Sequence, residues 1–204
     1  ISARLSELGS AFSNNVLDAT RAWSKLIADD GELAGLPETA RNMTKAQAAL
    51  KNQSGFLLTL DAPCYIAVMT YADNRDLRKE MYEAYVTRAS ECGPYANKYD
   101  NSGIIHEILV LRSELAGLLG FSDYAEYSLA TKMAESPRHV VGFLWQLAEK
   151  SMPFALRDIG ELRQFALNEF GLHEICSWDV AWLSEKLREK SYSVDQEKLR
   201  EYFP

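Results

Sequence analysis

Apolar residues return every three or four positions along nearly the whole chain, and that periodicity most constrains what it can fold into. In the first stretch Leu5, Leu8, Phe12, Val16, Ala19, Trp23 and Leu26 share one helical side, and the pattern stops near Asp29-Asp30-Gly31. Pro37, suited to a first turn, opens a second helix through about Leu50, with Ala40, Met43, Gln47 and Leu50 along one side. Asp61 before Ala62-Pro63 predicts a capped helix through about Tyr71, and Asp73 or Asn74 caps the next, to about Ser90. After a loop over 91–101, helix 102–119 carries Ile104, Ile105, Ile108, Leu111, Leu115 and Leu118 and stops at Gly120. Ser122 or Asp123 caps a short helix through about Lys132.

Ser136-Pro137 begins the longest element, with Val140, Leu144, Leu147, Ile159, Leu162, Phe165 and Ala166 expected to face inward. Pro153 lies inside it, predicting a kink or break, and Gly171 ends it. Helix 178–190 and a last short helix after Ser193 complete the series. Only Gly55-Phe56-Leu57-Leu58-Thr59-Leu60 reads as a strand, short, apolar and bounded by turn residues. The expected fold is therefore all-α: about eight helices and one short β-strand, a lone edge segment, in a single helical unit over 1–204 with no internal linker.

Net charge is −7, and no run of five basic residues exists, which argues against nucleic acid or an acidic membrane as partner. No apolar run reaches the roughly 18 residues of a membrane span. Cys64, Cys92 and Cys176 are odd in number and form no CxxC, so reduced thiols in a cytoplasmic protein are expected. The start, ISARLSELGS, shows neither a basic leader nor a cleavage site, and both ends are read as cuts in a longer protein.

His106-Glu107-Ile108-Leu109-Val110 is the first half of HExxH, in which two histidines one helical turn apart hold zinc and the glutamate serves as general base. Val110 cannot ligate. His173-Glu174-Ile175-Cys176-Ser177 fails at the same position with serine, just past a helix-ending glycine. Catalytic zinc wants three well-placed protein ligands, so neither pair is assigned a metal. His139, in a first helical turn, is expected to be exposed or locally engaged. Cys64 stands at a helix start, where a thiol pKa can fall, yet no histidine is near in sequence and an inert thiol is the expectation. Trp178 and Trp182, at i and i+4, could line an aromatic wall; core packing is the expected use. No GxSxG, P-loop or GxGxxG is present, and no catalytic, cofactor-binding or metal residue is assigned.

Longer stretches say more. ELGSAFSNNVLDAT (7–20), GFLLTLDAPCYIAVMTYADNRDLRKEMYEAY (55–85), TRAS (87–90), LGFSDYAEYSLATKMAESP (119–137) and SVDQEKLREYFP (193–204) resemble, in order, the thimet-oligopeptidase-like family of zinc metallopeptidases, nearest its bacterial oligopeptidase A branch. The resemblance implies a cytoplasmic enzyme cleaving short peptides in a deep channel between two largely helical halves. It also implies a zinc motif, HEFGH with a downstream glutamate, C-terminal to everything here. The chain is then scaffold and channel wall, inactive and zinc-free alone, missing its catalytic half and prone to weak self-association. The alternative is a non-catalytic helical protein-interaction module.

Overall fold

The computed structural model describes residues 1–192, so the short helix expected after Ser193 lies outside the described residues. Eight α-helices stand among them: α1 (Ser2–Ala22), α2 (Glu38–Leu50), α3 (Ala62–Tyr71), α4 (Arg75–Val86), α5 (Ser102–Leu118), α6 (Tyr124–Leu129), α7 (Pro137–Phe170) and α8 (Ser177–Tyr192). The all-α reading holds. Capping chemistry sets several boundaries where expected: Asn74 accepts from the Leu77 N–H, Asp123 from Glu126, and Ser136 from His139. Asp61 occupies the position before α3 without capping it, and accepts the Thr59 hydroxyl instead. After α5 the Phe121 N–H bonds the Ala116 carbonyl and Gly120 N–H the Gly117 carbonyl, with Gly120 at φ 81°. That pattern closes the helix through a left-handed residue.

The strand reading needs correction. Phe56–Thr59 (β2) is not alone but pairs antiparallel with Ser24–Ile27 (β1), in register from Ser24 opposite Thr59 to Ile27 opposite Phe56. Helix α1 stops at Ala22 because Trp23 turns extended, at φ −84° and ψ 131°. Leu26 continues the helical spacing in sequence; in the strand it points outward while Ile27 is buried. Local periodicity is overridden by a ladder that gives both strands' backbone groups partners.

Two cores result. The larger joins β1, β2, α2, α3 and α4 through Trp23, Ile27, Leu58, Leu60, Val68 and Met81. The smaller packs the C-terminal part of α7 on α8 through Leu162, Phe165, Ala166, Trp182 and Leu183. In α2 the buried line is Ala40, Thr44 and Ala48, and Leu50 is exposed, a register shift from the expected face. Helix α7 runs unbroken through Pro153. Its N-terminal half also departs from expectation: Leu144 and Leu147, predicted to point inward, are more than half exposed, as is Leu118 of α5.

Candidate functional site

His106 lies exposed in the second turn of α5, and its neighbour Glu107 is already engaged. Arg4 of α1 donates to it twice, Nε to Oε1 at 2.7 Å and Nη2 to Oε2 at 2.9 Å. These hydrogen bonds hold the Glu107 carboxyl below the usual carboxylate range. A general base works best with a pKa near the working pH, so the pairing moves Glu107 away from that role. The pair ties α1 to α5.

His173 is exposed in the link between α7 and α8, after Gly171 closes α7 in the left-handed region at φ 63°. The Glu174 carbonyl accepts from Arg75 Nη2 at 3.2 Å. His139 is exposed at the start of α7, its Nδ1 3.4 Å from Glu135 Oε2, so its contacts are local. The three histidines sit on α5, at the head of α7 and behind its tail. Among the described residues no group of three or more His, Cys, Asp or Glu side chains is placed to hold a metal ion.

Cys64 is buried, and its Sγ accepts the Thr59 N–H at 3.4 Å. Burial pushes the thiol pKa up, against the opposing pull of that hydrogen bond. A nucleophilic thiol needs the reverse. Trp182 is buried: its Nε1 donates to Asp73 Oδ1 at 3.0 Å, Phe170 lies 4.7 Å from its ring, and the Arg78 guanidinium stands 4.5 Å over it. Trp178 is half-buried beside Tyr82. Both tryptophans serve the α4–α8 junction rather than an open aromatic wall.

Motif reading missed a concentrated, buried polar cluster. The side chains of Asp179 and Arg78 are 0% and 1% exposed. Asp179 Oδ1 accepts from Arg78 Nη2 at 2.9 Å and Arg75 Nε at 3.0 Å; Oδ2 accepts from Arg75 Nη2 at 2.8 Å and the Cys176 N–H at 3.0 Å. Arg78 spends its other donors on the carbonyls of Ala72, Asp73 and Trp178. Burial alone would raise the Asp179 carboxyl, but the hydrogen bonds from Arg75, Cys176 and Arg78 outweigh it and hold it low. Burial draws the Arg78 guanidinium down from its ordinary value. With each oxygen accepting at least two donors, the carboxylate has no lone pair left for proton traffic. It clamps α4 and the start of α8 together. Arg75 and Arg78, one turn apart at the head of α4, were the only local hint; their partner is 101 residues from Arg78.

An open groove of about 510 Å³ lies between α6 and the head of α7, bordered by Phe121, Leu129, Lys132, Met133 and Pro137. Its mixed lining carries no group prepared for catalysis.

With this geometry in view, similarity to known proteins is informative. The profile described as Peptidase family M3 matches residues 68–204. The chain is 57% identical over its whole length to oligopeptidase A of Salmonella typhimurium, covering 30% of that protein. It is 42% identical to the probable cytosolic oligopeptidase A of Arabidopsis thaliana, again over its whole length and 29% of the relative. Identity to the dipeptidyl carboxypeptidase of Salmonella typhimurium is 27%, over 96% of the chain and 28% of the relative. The chain thus spans about 30% of the length of these oligopeptidase A relatives.

Proposed function

The chain belongs to peptidase family M3, and from that membership we propose that it is one helical segment of a zinc-dependent oligopeptidase that hydrolyses short peptides. In this reading residues 1–204 supply scaffold and part of the channel wall, and other parts of the same polypeptide supply the zinc site. The observation that carries it is the unbroken match of all 204 residues to oligopeptidase A relatives, at 53–57% identity, over 30% of their length. The residues present do not fit zinc: Val110 and Ser177 stand where second histidines belong, and Glu107 is committed to Arg4. No step of peptide hydrolysis is therefore assigned to this chain's side chains. A cytoplasmic location accords with the relative named as cytosolic, and no described helix is long and apolar enough to cross a membrane.

The test compares the complete polypeptide with residues 1–204 on a short unstructured peptide. The complete polypeptide is expected to cleave it and to stop when metal is chelated, whereas residues 1–204 alone are expected to be inactive and to retain no tightly held zinc after dialysis. His106→Ala and His173→Ala in the complete polypeptide should each leave turnover intact. Loss of turnover in a folded, zinc-loaded variant would return those histidines to the site.

A further inference from the structure

The N-terminal half of α7 has apolar side chains on two sides and little covering either. Phe143, Leu147 and Phe154 line one side; Val141, Trp145 and Met152 line the other. All six are between 52% and 66% exposed. At about 100° per residue these two stripes, with Leu144, Ala148 and Ala155 between them, span an arc of roughly 200° interrupted by Ser151, about twice what a helix lying on a single layer needs. The remaining strip carries Glu149, Gln146, Lys150, Pro153 and Arg157.

Pro153 falls on that strip for a physical reason. It has no N–H, so the Glu149 carbonyl one turn back loses its helical partner and needs another donor, which water supplies readily on a side left uncovered. The proline therefore suits the polar side of α7, leaving both apolar stripes for protein.

We propose that the N-terminal half of α7 is an interior helix of the whole enzyme, covered on both apolar stripes by the rest of the same polypeptide. This rests on the reading of the chain as a segment of an oligopeptidase. Two observations favour the same polypeptide over a second copy. A two-fold contact is self-complementary and covers one patch, so covering two sides with copies would need two different self-interfaces, each self-complementary in its own right. The relatives are also more than three times as long as this chain, which leaves ample polypeptide to provide a cover.

Hydroxyl-radical footprinting of unmodified protein tests this without substitutions, since Trp145 and Met152 report one stripe and Phe143 and Phe154 the other. In residues 1–204 at low concentration all four should be readily oxidised. In the complete polypeptide all four should react at least about tenfold more slowly, oxidation following exposure. A stripe as reactive in the complete polypeptide as in residues 1–204 overturns the proposal. Protection that in the complete polypeptide appears only as its concentration rises assigns the cover to a second copy, and also overturns it. Chelator-sensitive peptide cleavage, measured on the same complete polypeptide, keeps the two readings apart: its absence refutes the oligopeptidase reading, while the footprint decides the placement of α7.

Discussion

Removing the Asp179 carboxylate leaves Arg78 a buried guanidinium without its ion-pair partner, still held by the Ala72, Asp73 and Trp178 carbonyls. Asp179→Ala is therefore expected to cost about 3–5 kcal/mol of unfolding free energy, the penalty of breaking a buried ion pair from one side. Urea unfolding followed by tryptophan fluorescence measures it, and a loss below the range of ordinary surface substitutions would show that the clamp is incidental. The pH dependence has a definite sign. The folded Asp179 pKa lies below its unfolded value, so its contribution is fully present above the unfolded pKa and is lost as pH falls through the folded one. The gap between wild type and Asp179→Ala should stay constant from neutrality to about pH 5 and begin to narrow only below about pH 4. The Arg4–Glu107 pair is exposed at both ends, so Arg4→Ala should have a small, salt-sensitive effect. At this scale the sequence was legible where chemistry is local. The missing second histidines could be read directly, as could the local setting of His139. The Arg78–Asp179 pair could not, because no short-range pattern connects residues so far apart in the chain.

Individual elements were legible in proportion to how much of their stabilisation is local. Caps at Asn74, Asp123 and Ser136 and the stop at Gly171 follow from side-chain and backbone hydrogen bonding within a turn. Strand β1 was not legible: Ser24–Ile27 extends the helical spacing of α1, and only pairing with β2 makes it a strand. Gly55 shows what that pairing requires. Its φ is 115°, and a Cβ there would stand 2.5 Å from the Ile27 carbonyl oxygen at the end of β1. Gly55→Ala should destabilise the chain by about 1–3 kcal/mol through backbone strain and loss of that close approach. Gly9, inside α1, supplies the contrast, since a Cβ added there would meet nothing within 4 Å. Gly9→Ala should stabilise by about 0.5–1 kcal/mol, the helical penalty of glycine removed. Thermal unfolding of the two variants side by side checks both signs, and equal effects would mean that β1 and β2 do not constrain this turn. Pro153 gives a third case. Pro153→Ala restores one N–H to the Glu149 carbonyl, so amide exchange around residues 149–154 should slow, as hydrogen-exchange mass spectrometry would read directly.

Helical periodicity specifies which residues are apolar but not which apolar faces meet, and in the whole molecule that distinction decides how the chain behaves alone. Leu162, Phe165 and Ala166 find α8; Leu144 and Leu147, on the same helix and read in the same way, find no cover. The two cores and the Arg75–Asp179–Arg78 clamp favour folding of residues 1–204 on their own, while the uncovered faces of α5 and α7 favour sticking. Apolar patches beyond a few hundred Å² are uncommon on monomeric proteins, and the net charge of −7 opposes association only at long range and low salt. Residues 1–204 should therefore self-associate weakly and reversibly. Sedimentation velocity should show the weight-average coefficient rising with concentration, and more steeply as salt screens the charge. Replacing Trp145 and Leu147 together by lysine places a charge on each apolar side of α7 and should return the chain to a monomer over the same range. Neither side chain belongs to a core, so the helical circular dichroism should be unchanged. If the doubly substituted chain kept its helicity and associated as before, the sticky surface would lie elsewhere, with Leu118 and Leu119 at the end of α5 the next to test.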